Sequence, residues 1–180
     1  MMENNLITFR PMRKDDIDSV IDIDQLSFSM PWPVSAYIHD LNENPAALLW
    51  VAEKHSPESG NLVVGMIVLW LVVDEAHIAT LAVHPDHRGK GIGSRLLEIG
   101  LIEAFSRGAR ESMLEVRASN QAAQSLYYGY GFEIVYRRPR YYRDNNEDAL
   151  LMNLDNLEDL IAKKKMIPCQ MSRPQTKIQV

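Results

Sequence analysis

The chain has 180 residues, 46% of them hydrophobic and 24% charged, with a formal net charge of -5. That size and balance suit one globular domain, and the acidic surplus argues against a protein whose affinity comes from neutralising nucleic-acid phosphates. The single cysteine, Cys169, cannot form an internal disulfide, and the opening Met-Met-Glu-Asn-Asn lacks the basic-then-apolar pattern of a secretory signal. The longest apolar run, Leu62 to Val73, has about half the roughly 20 residues of a membrane-spanning helix. A cytoplasmic protein without membrane or nucleic-acid partners is therefore expected.

Leu6 to Arg10 predicts a short strand, and from Asp15 onward Ile17, Val20 and Ile21 recur at helical spacing. Phe28-Ser29-Met30-Pro31-Trp32-Pro33 must be a loop, because two prolines within three residues remove backbone donors and helical freedom. Val34 to Asn42 fits a second helix. Ala47 to Glu53 reads as a strand, the turn chemistry of His55 to Asn61 follows, and Leu62 to Val73 returns as an antiparallel partner. Glu75 to Val83 is the next strand, ended by His84-Pro85-Asp86. Gly91 to Arg107 is a helix with Ile92, Leu96 and Ile99 along its length and Gly108 as its stop signal. Ser112 to Val116 predicts a strand, Asn120 to Tyr128 a helix capped by Asn120 or Ser119, and Phe132 to Tyr136 and Ala149 to Leu154 two further strands. The order is mixed α and β, with no internal repeat and no linker. Leu157 to Met166 fits a short helix, while Ile167 to Val180 is polar, carries two prolines and has no periodicity. Residues 1–155 are expected to form one domain, and 156–180 a C-terminal helix and flexible tail.

The segment Asp86-His87-Arg88-Gly89-Lys90-Gly91-Ile92-Gly93-Ser94 lies between a strand and a helix whose first turn it forms. A helix start offers unpaired N–H groups and a positive dipole end, and glycines at alternating positions let a pyrophosphate approach the backbone closely. Arg88 and Lys90 add charge. The dinucleotide fingerprint fails, because Ile92 or Leu96 falls where its last glycine belongs. The P-loop fails too, because no glycine sits five residues before Gly89-Lys90. Taken alone, the segment is also compatible with a glycine turn that only caps a surface helix.

Arg88-x-x-Gly91-x-Gly93, led in by Leu81-Ala82-Val83-His84-Pro85, resembles the signature of the GCN5-related N-acetyltransferase (GNAT) superfamily. The resemblance runs from about Leu6 to Leu154. It implies an α+β GNAT fold, a central mixed and mostly antiparallel sheet flanked by helices in a single domain. It also implies acetyl-CoA as cosubstrate, with its pyrophosphate on main-chain N–H groups of Gly89, Lys90, Gly91, Ile92, Gly93 and Ser94. The pantetheine arm and thioester would lie along Leu81-Ala82-Val83, through the main chain of Leu81 and Val83.

Leu114-Glu115-Val116-Arg117-Ala118-Ser119-Asn120, followed by Ala122, Ala123, Leu126, Tyr127 and Gly131-Phe132, looks like the ribosomal-protein alanine N-acetyltransferases of that superfamily. Arg137-Arg138, Tyr141-Tyr142 and Glu147-Asp148-Ala149 extend the likeness. It implies Glu115 as general base, Tyr127 as general acid, Asn120 as a coenzyme-binding residue, and a protein amino terminus as acceptor, that of a ribosomal protein being one candidate. The chemistry agrees with these roles. An α-amine of pKa near 8 is already partly neutral at pH 7, so a carboxylate suffices to take its proton, and a phenol can protonate the departing thiolate. Without the surrounding motif, a lone Glu in a strand is usually solvated, a helical Tyr is usually a core or rim aromatic, and Asn120 is a helix cap.

The same resemblance places the acceptor between the loop at Met30-Pro31-Trp32 and a loop from Arg140 to Asn146, with Trp32, Tyr141 and Tyr142 as walls, although these aromatics could simply close the core. Arg137, Arg138, Arg140 and Arg143 read as a solvated loop. His77 and His84 match no zinc pattern, so no metal is expected. Cys169 falls in the tail, which favours direct transfer over an acetyl-cysteine intermediate. A lysine or small-amine acetyltransferase of the same fold and a non-catalytic acetyl-CoA sensor are the rival readings, and a monomer or weak dimer is expected.

Overall fold

The computed structural model describes residues 7–56 and 60–163. The expected tail at 167–180 with Cys169, the end of the helix expected to reach Met166, and the centre of the turn before Asn61 lie outside these. In chain order the elements are β1 (Ile7–Pro11), α1 (Ile17–Ser27), α2 (Val34–Asn42), β2 (Ala47–Ser56), β3 (Gly60–Val72), β4 (Glu75–Val83), α3 (Ile92–Ser106), β5 (Glu111–Arg117), α4 (Gln121–Tyr128), β6 (Glu133–Tyr142), β7 (Glu147–Leu154) and α5 (Leu157–Lys163). Single 3₁₀ turns precede α1 and α3.

The seven strands form one sheet in the order β1-β2-β3-β4-β5-β7-β6, and every neighbouring pair is antiparallel except β4 and β5. β3 is the central strand of greatest burial, with Val63, Val64, Met66, Ile67, Val68 and Leu69 all buried because helices cover both faces of the sheet. On one face α3 packs Leu96, Leu97 and Leu101 against Ile67 and Leu69. Each such fully buried side chain contributes about 1.5–3 kcal/mol of transfer free energy. Gly100 permits this approach: a Cβ there would stand 2.6 Å from Leu69 Cδ1. On the other face α1 and α2 bury Val20, Ile23 and Tyr37 with Met66 and Val68.

Two irregularities shape the site. Leu69 pairs with Ile78 and Val68 with Thr80, so Ala79 is an extra residue in β4, a bulge that bends the strand. The parallel pairing of β4 with β5 covers Glu75–Ile78 against Glu111–Leu114 and stops there. Beyond that point the strands part. The end of β4 (Ala79 to Val83) and the end of β5 (Glu115 to Arg117) thus flank an opening, and main-chain groups of β4 that point toward β5 have no strand partner.

β6 is longer than the sequence predicts, running past Tyr136 to Tyr142, so Arg140, Tyr141 and Tyr142 belong to a strand rather than to the expected loop. Arg138 pairs with Ala149 but Tyr142 pairs with Glu147, four steps on β6 against two on β7, so two extra residues bulge out. Pro139 and the left-handed Arg140 (φ 51°) occupy that bulge, which hides the period-two signal of the strand.

Candidate active site

The α3 start has the geometry of an anion cradle. Gly91 is its N-cap in the left-handed region (φ 78°), Gly89 is also left-handed (φ 73°), and a Cβ at either position would meet no protein atom within 4 Å. The first intrahelical bond runs from Arg95 N–H to Gly91 O (3.0 Å), so the N–H groups of Ile92, Gly93 and Ser94 have no acceptor within the helix. The side chains here are committed elsewhere. Arg88 donates to Val83 O (2.8 Å) and to Ser27 Oγ (3.0 Å), tying the cradle to the end of α1. Lys90 Nζ donates to Asp86 O (2.8 Å), and the Ser94 hydroxyl meets the Tyr130 hydroxyl at 2.8 Å. Ile92 and Ala82 are buried, so like the glycines they can offer a ligand only their main chain.

Of the remaining predicted residues all but Val83, whose carbonyl is taken by Arg88, converge on one cleft of about 1210 Å³, where β4 and β5 part. Leu81, Glu115, Asn120, Tyr127, Trp32, Tyr141 and Tyr142 all line it. Strand alternation explains the first pair of roles: Ser112, Leu114 and Val116 are buried on the α3 face, so Glu115 and Arg117 point the other way, into the cleft. Glu115 is held on both oxygens. Arg138 Nη1 donates to Oε1 at 2.6 Å and the Tyr141 hydroxyl donates to Oε2 at 2.6 Å, while the Arg138 guanidinium also lies 4.9 Å from the Tyr141 ring centroid. This is not the solvated outward-facing glutamate that a lone strand position suggests.

Tyr127 comes from α4, whose start is fixed by Asn120 Oδ1 accepting the Ala123 N–H (3.1 Å). Its ring packs on Phe132 (centroids 5.7 Å), and it is only 7% exposed. Among the described residues its hydroxyl has no hydrogen-bond partner. Burial pushes this phenol well above its ordinary pKa, with a smaller contribution from Tyr142. Tyr142 is likewise raised by burial, to about 12.

Two walls face each other across the cleft. Trp32 is both wall and core: its indole stacks on Trp70 at 5.5 Å, and its backbone N–H donates to Asp24 Oδ2 at 2.6 Å. Asp24 is only 1% exposed, and burial raises its carboxyl above the usual range. The opposite wall is the β6–β7 turn. Arg117 joins the two, donating to Ser29 Oγ (2.9 Å) on the α1–α2 loop, to Asp144 (2.8 Å) and Asn145 (3.2 Å) on the turn and to Glu147 (3.2 Å) at the start of β7. Its guanidinium also lies over the Tyr142 ring, 3.8 Å from the centroid. The Ser29 hydroxyl donates directly to Asp144, and Glu147 accepts the Ser119 N–H at 2.6 Å. The Ser119 side chain, its N–H and Arg117 together hold the Glu147 carboxyl down at about 2.

Sequence reasoning missed Arg117, Arg138, Asp24 and Glu147, although Arg117, Arg138 and Glu147 stood inside the motifs that carry the resemblance. Position 117 follows Glu115 by two in a strand, which places both on one face, and that signal was available. Of the four arginines expected in a solvated loop, Arg137, Arg138 and Arg140 instead sit on β6, two of them in ion pairs, Arg137 with Asp148 (2.7 Å) and Arg138 with Glu115. Among the described residues no group of three or more His, Cys, Asp or Glu could hold a metal ion, and no helix is long and apolar enough to cross a membrane.

Comparison with known proteins fits this geometry. Residues 17–132 match the acetyltransferase (GNAT) family. A putative [ribosomal protein bS18]-alanine N-acetyltransferase of Bacillus subtilis is 41% identical over 143 residues, covering 79% of this chain and 91% of that protein. The crystal structure of the ribosomal-protein-S18-alanine N-acetyltransferase from Escherichia coli superposes with a TM-score of 0.71 at 30% identity, covering 83% of this chain and 93% of that one. The NatC complex, crystallised with Gag peptide and CoA, contains a chain that superposes with a TM-score of 0.74 at 28% identity, over 83% of this chain and 98% of its own. The chain belongs to the acetyltransferase (GNAT) family and is an acetyl-CoA-dependent N-acetyltransferase.

Proposed function

We propose that the chain acetylates the α-amine of a protein amino terminus by direct transfer, the acceptor being the terminal alanine of a small-subunit ribosomal protein, as the names of its relatives in Bacillus subtilis and Escherichia coli suggest. The observation that carries this reading is the meeting of Glu115 and Tyr127 in one cleft, where β4 and β5 part and next to the start of α3. Main-chain N–H groups from Gly89 to Ser94 hold the coenzyme pyrophosphate, and Leu81 and Val83 align the thioester by their main chain. Asn120, at the rim of the cleft, contacts the coenzyme as well as capping α4. Trp32, Tyr141 and Tyr142 flank the acceptor. Glu115 takes one proton of the α-ammonium, directly or through one water, the C–N bond forms as the C–S bond breaks, Tyr127 protonates the departing sulfur, and the second proton lost from nitrogen restores the Tyr127 phenol through water. Because burial keeps the Tyr127 phenol protonated, it is in the donating form across the working pH range.

The α-amine is the favoured acceptor on energetic grounds. Neutralising a lysine of pKa about 10.4 instead of an α-amine near 8 adds on the order of 3 kcal/mol at neutral pH. The test is a synthetic peptide that begins with alanine and carries an internal lysine. Tandem mass mapping should find the acetyl group on the α-amine alone, and blocking that amine should abolish turnover. Acetyl on the lysine would transfer the function to a lysine acetyltransferase.

A further inference from the structure

The two donors on Glu115 come from an arrangement that a regular strand would not produce. Register places Arg138 opposite Ala149 and Ala149 opposite Arg117, while Glu115 faces Leu151 and Leu151 faces Tyr136. Arg138 therefore lies on the same face as Glu115, with β7 between them, and its long side chain reaches across that strand to the carboxylate. Tyr141 is three residues further along β6, and strict alternation would turn it to the opposite face. Tyr142, paired with Glu147, returns to the Glu115 face by register, while Tyr141, next to the left-handed Arg140 of the bulge, departs from that alternation and its hydroxyl reaches Glu115. That bulge is locked by Asp148, which accepts the Arg140 N–H (2.8 Å) on one oxygen and pairs with Arg137 (2.7 Å) on the other. Bulges re-aim side chains in this way next to active sites.

We infer that Arg138 is a positioning residue for the catalytic carboxylate, fixing the plane of Glu115 in concert with Tyr141. The inference rests on the assignment of Glu115 as the base. The terminal torsion of a glutamate is broad, so a carboxylate held at one point still swings. One donor on each oxygen, both at 2.6 Å, removes that freedom. An ionised carboxylate has about four lone-pair sites, and two donors leave the others to receive the acceptor amine or a bridging water. Arg138 itself touches no reacting atom. Its side chain is 44% exposed, so replacing it removes little core packing.

A kinetic cycle on the full-length enzyme tests this, using the alanine-initiated peptide with Arg138→Gln, Glu115→Gln and the double variant. Arg138→Gln should lower kcat by about 10- to 100-fold, the order of loss that a misplaced catalytic group brings. Peptide KM and the acetyl-CoA Kd should stay within about threefold of wild type. In the Glu115→Gln background the same substitution should cost less than about twofold, since there is no longer a base to aim. A kcat unchanged by Arg138→Gln, a change confined to KM, or an equal loss in both backgrounds would overturn the inference while leaving Glu115 as base. A Glu115→Gln enzyme with wild-type kcat would remove the base itself, which separates failure of the underlying reading from failure of this one.

Discussion

The anion cradle at the start of α3 and the cleft proposed for the acceptor are built from different parts of the chain. Six consecutive residues, Gly89 to Ser94, make the cradle, and what they offer is main chain: left-handed glycines and helix N–H groups, with the side chains of Arg88, Lys90 and Ser94 turned to other partners. The cleft draws Trp32, Glu115, Arg117, Tyr127, Arg138 and Tyr142 from regions up to 110 residues apart, and what they offer is side chain. A main-chain site tolerates a change of side chain so long as the backbone keeps its shape. A side-chain network fails when any one hub is lost, however well the backbone survives.

The largest effect should come from breaking the backbone of the cradle. Gly91→Val places a β-branched residue at φ 78°, and its Cβ projects into space free of protein atoms, where the coenzyme phosphates are proposed to bind. Loss of two charge-assisted hydrogen bonds at about 1.5–3 kcal/mol each would weaken acetyl-CoA by about 10²- to 10⁴-fold. Calorimetry on the folded variant measures it, and unchanged affinity would contradict the cradle. Lys90→Ala, by contrast, should leave affinity within about threefold if main-chain groups dominate.

Next in size is the loss of the hub that joins the two walls. Arg117→Ala removes all four hydrogen bonds to Ser29, Asp144, Asn145 and Glu147 together with the contact on Tyr142. Acceptor kcat/KM should fall about 100-fold, chiefly through KM, while the acetyl-CoA Kd moves less than about threefold. A loss of coenzyme affinity as large as the loss in kcat/KM would mean that cradle and cleft are not the separable parts described above.

A smaller effect lies in the acid response of the same wall. Folding lowers the Glu147 carboxyl from 4.5 to about 2, so the unfolded chain binds the extra proton. Its stabilising contribution is present above about pH 4.5 and is lost as pH falls toward 2. Wild-type Tm should therefore drop more steeply between about pH 5 and pH 3 than that of Glu147→Gln, as followed by circular dichroism. Parallel curves would show that the carboxylate is not held as the geometry indicates.

The same contrast explains what could be read in advance. The cradle was legible because its parts are local: glycines at fixed spacing between a strand and a helix are compatible with a main-chain anion site, and the contiguous motif around them chooses that reading over a structural turn. Glu115 and Tyr127 were legible because the motif around them is contiguous. The contacts of Arg138 with Glu115 and of Arg117 with Ser29 span 23 and 88 residues, and no periodicity reports them. β6 was cut short at Tyr136 because Pro139 and the left-handed Arg140 break its alternation, and that same irregularity brings Tyr141 to Glu115. Trp32 could be read as core or as wall, and it serves both, since it stacks on Trp70 while lining the cleft.

The most direct measurement is the single-turnover rate of Tyr127→Phe on the alanine-initiated peptide, taken together with its acetyl-CoA Kd. The substitution keeps the ring against Phe132 and removes only the hydroxyl. If that hydroxyl protonates the departing sulfur, the rate falls by about 10²- to 10⁴-fold, or roughly 3 to 5 kcal/mol of barrier, while the Kd changes by less than about threefold. A near-wild-type single-turnover rate would make Tyr127 a structural residue of α4 and remove the acid from the proposed chemistry.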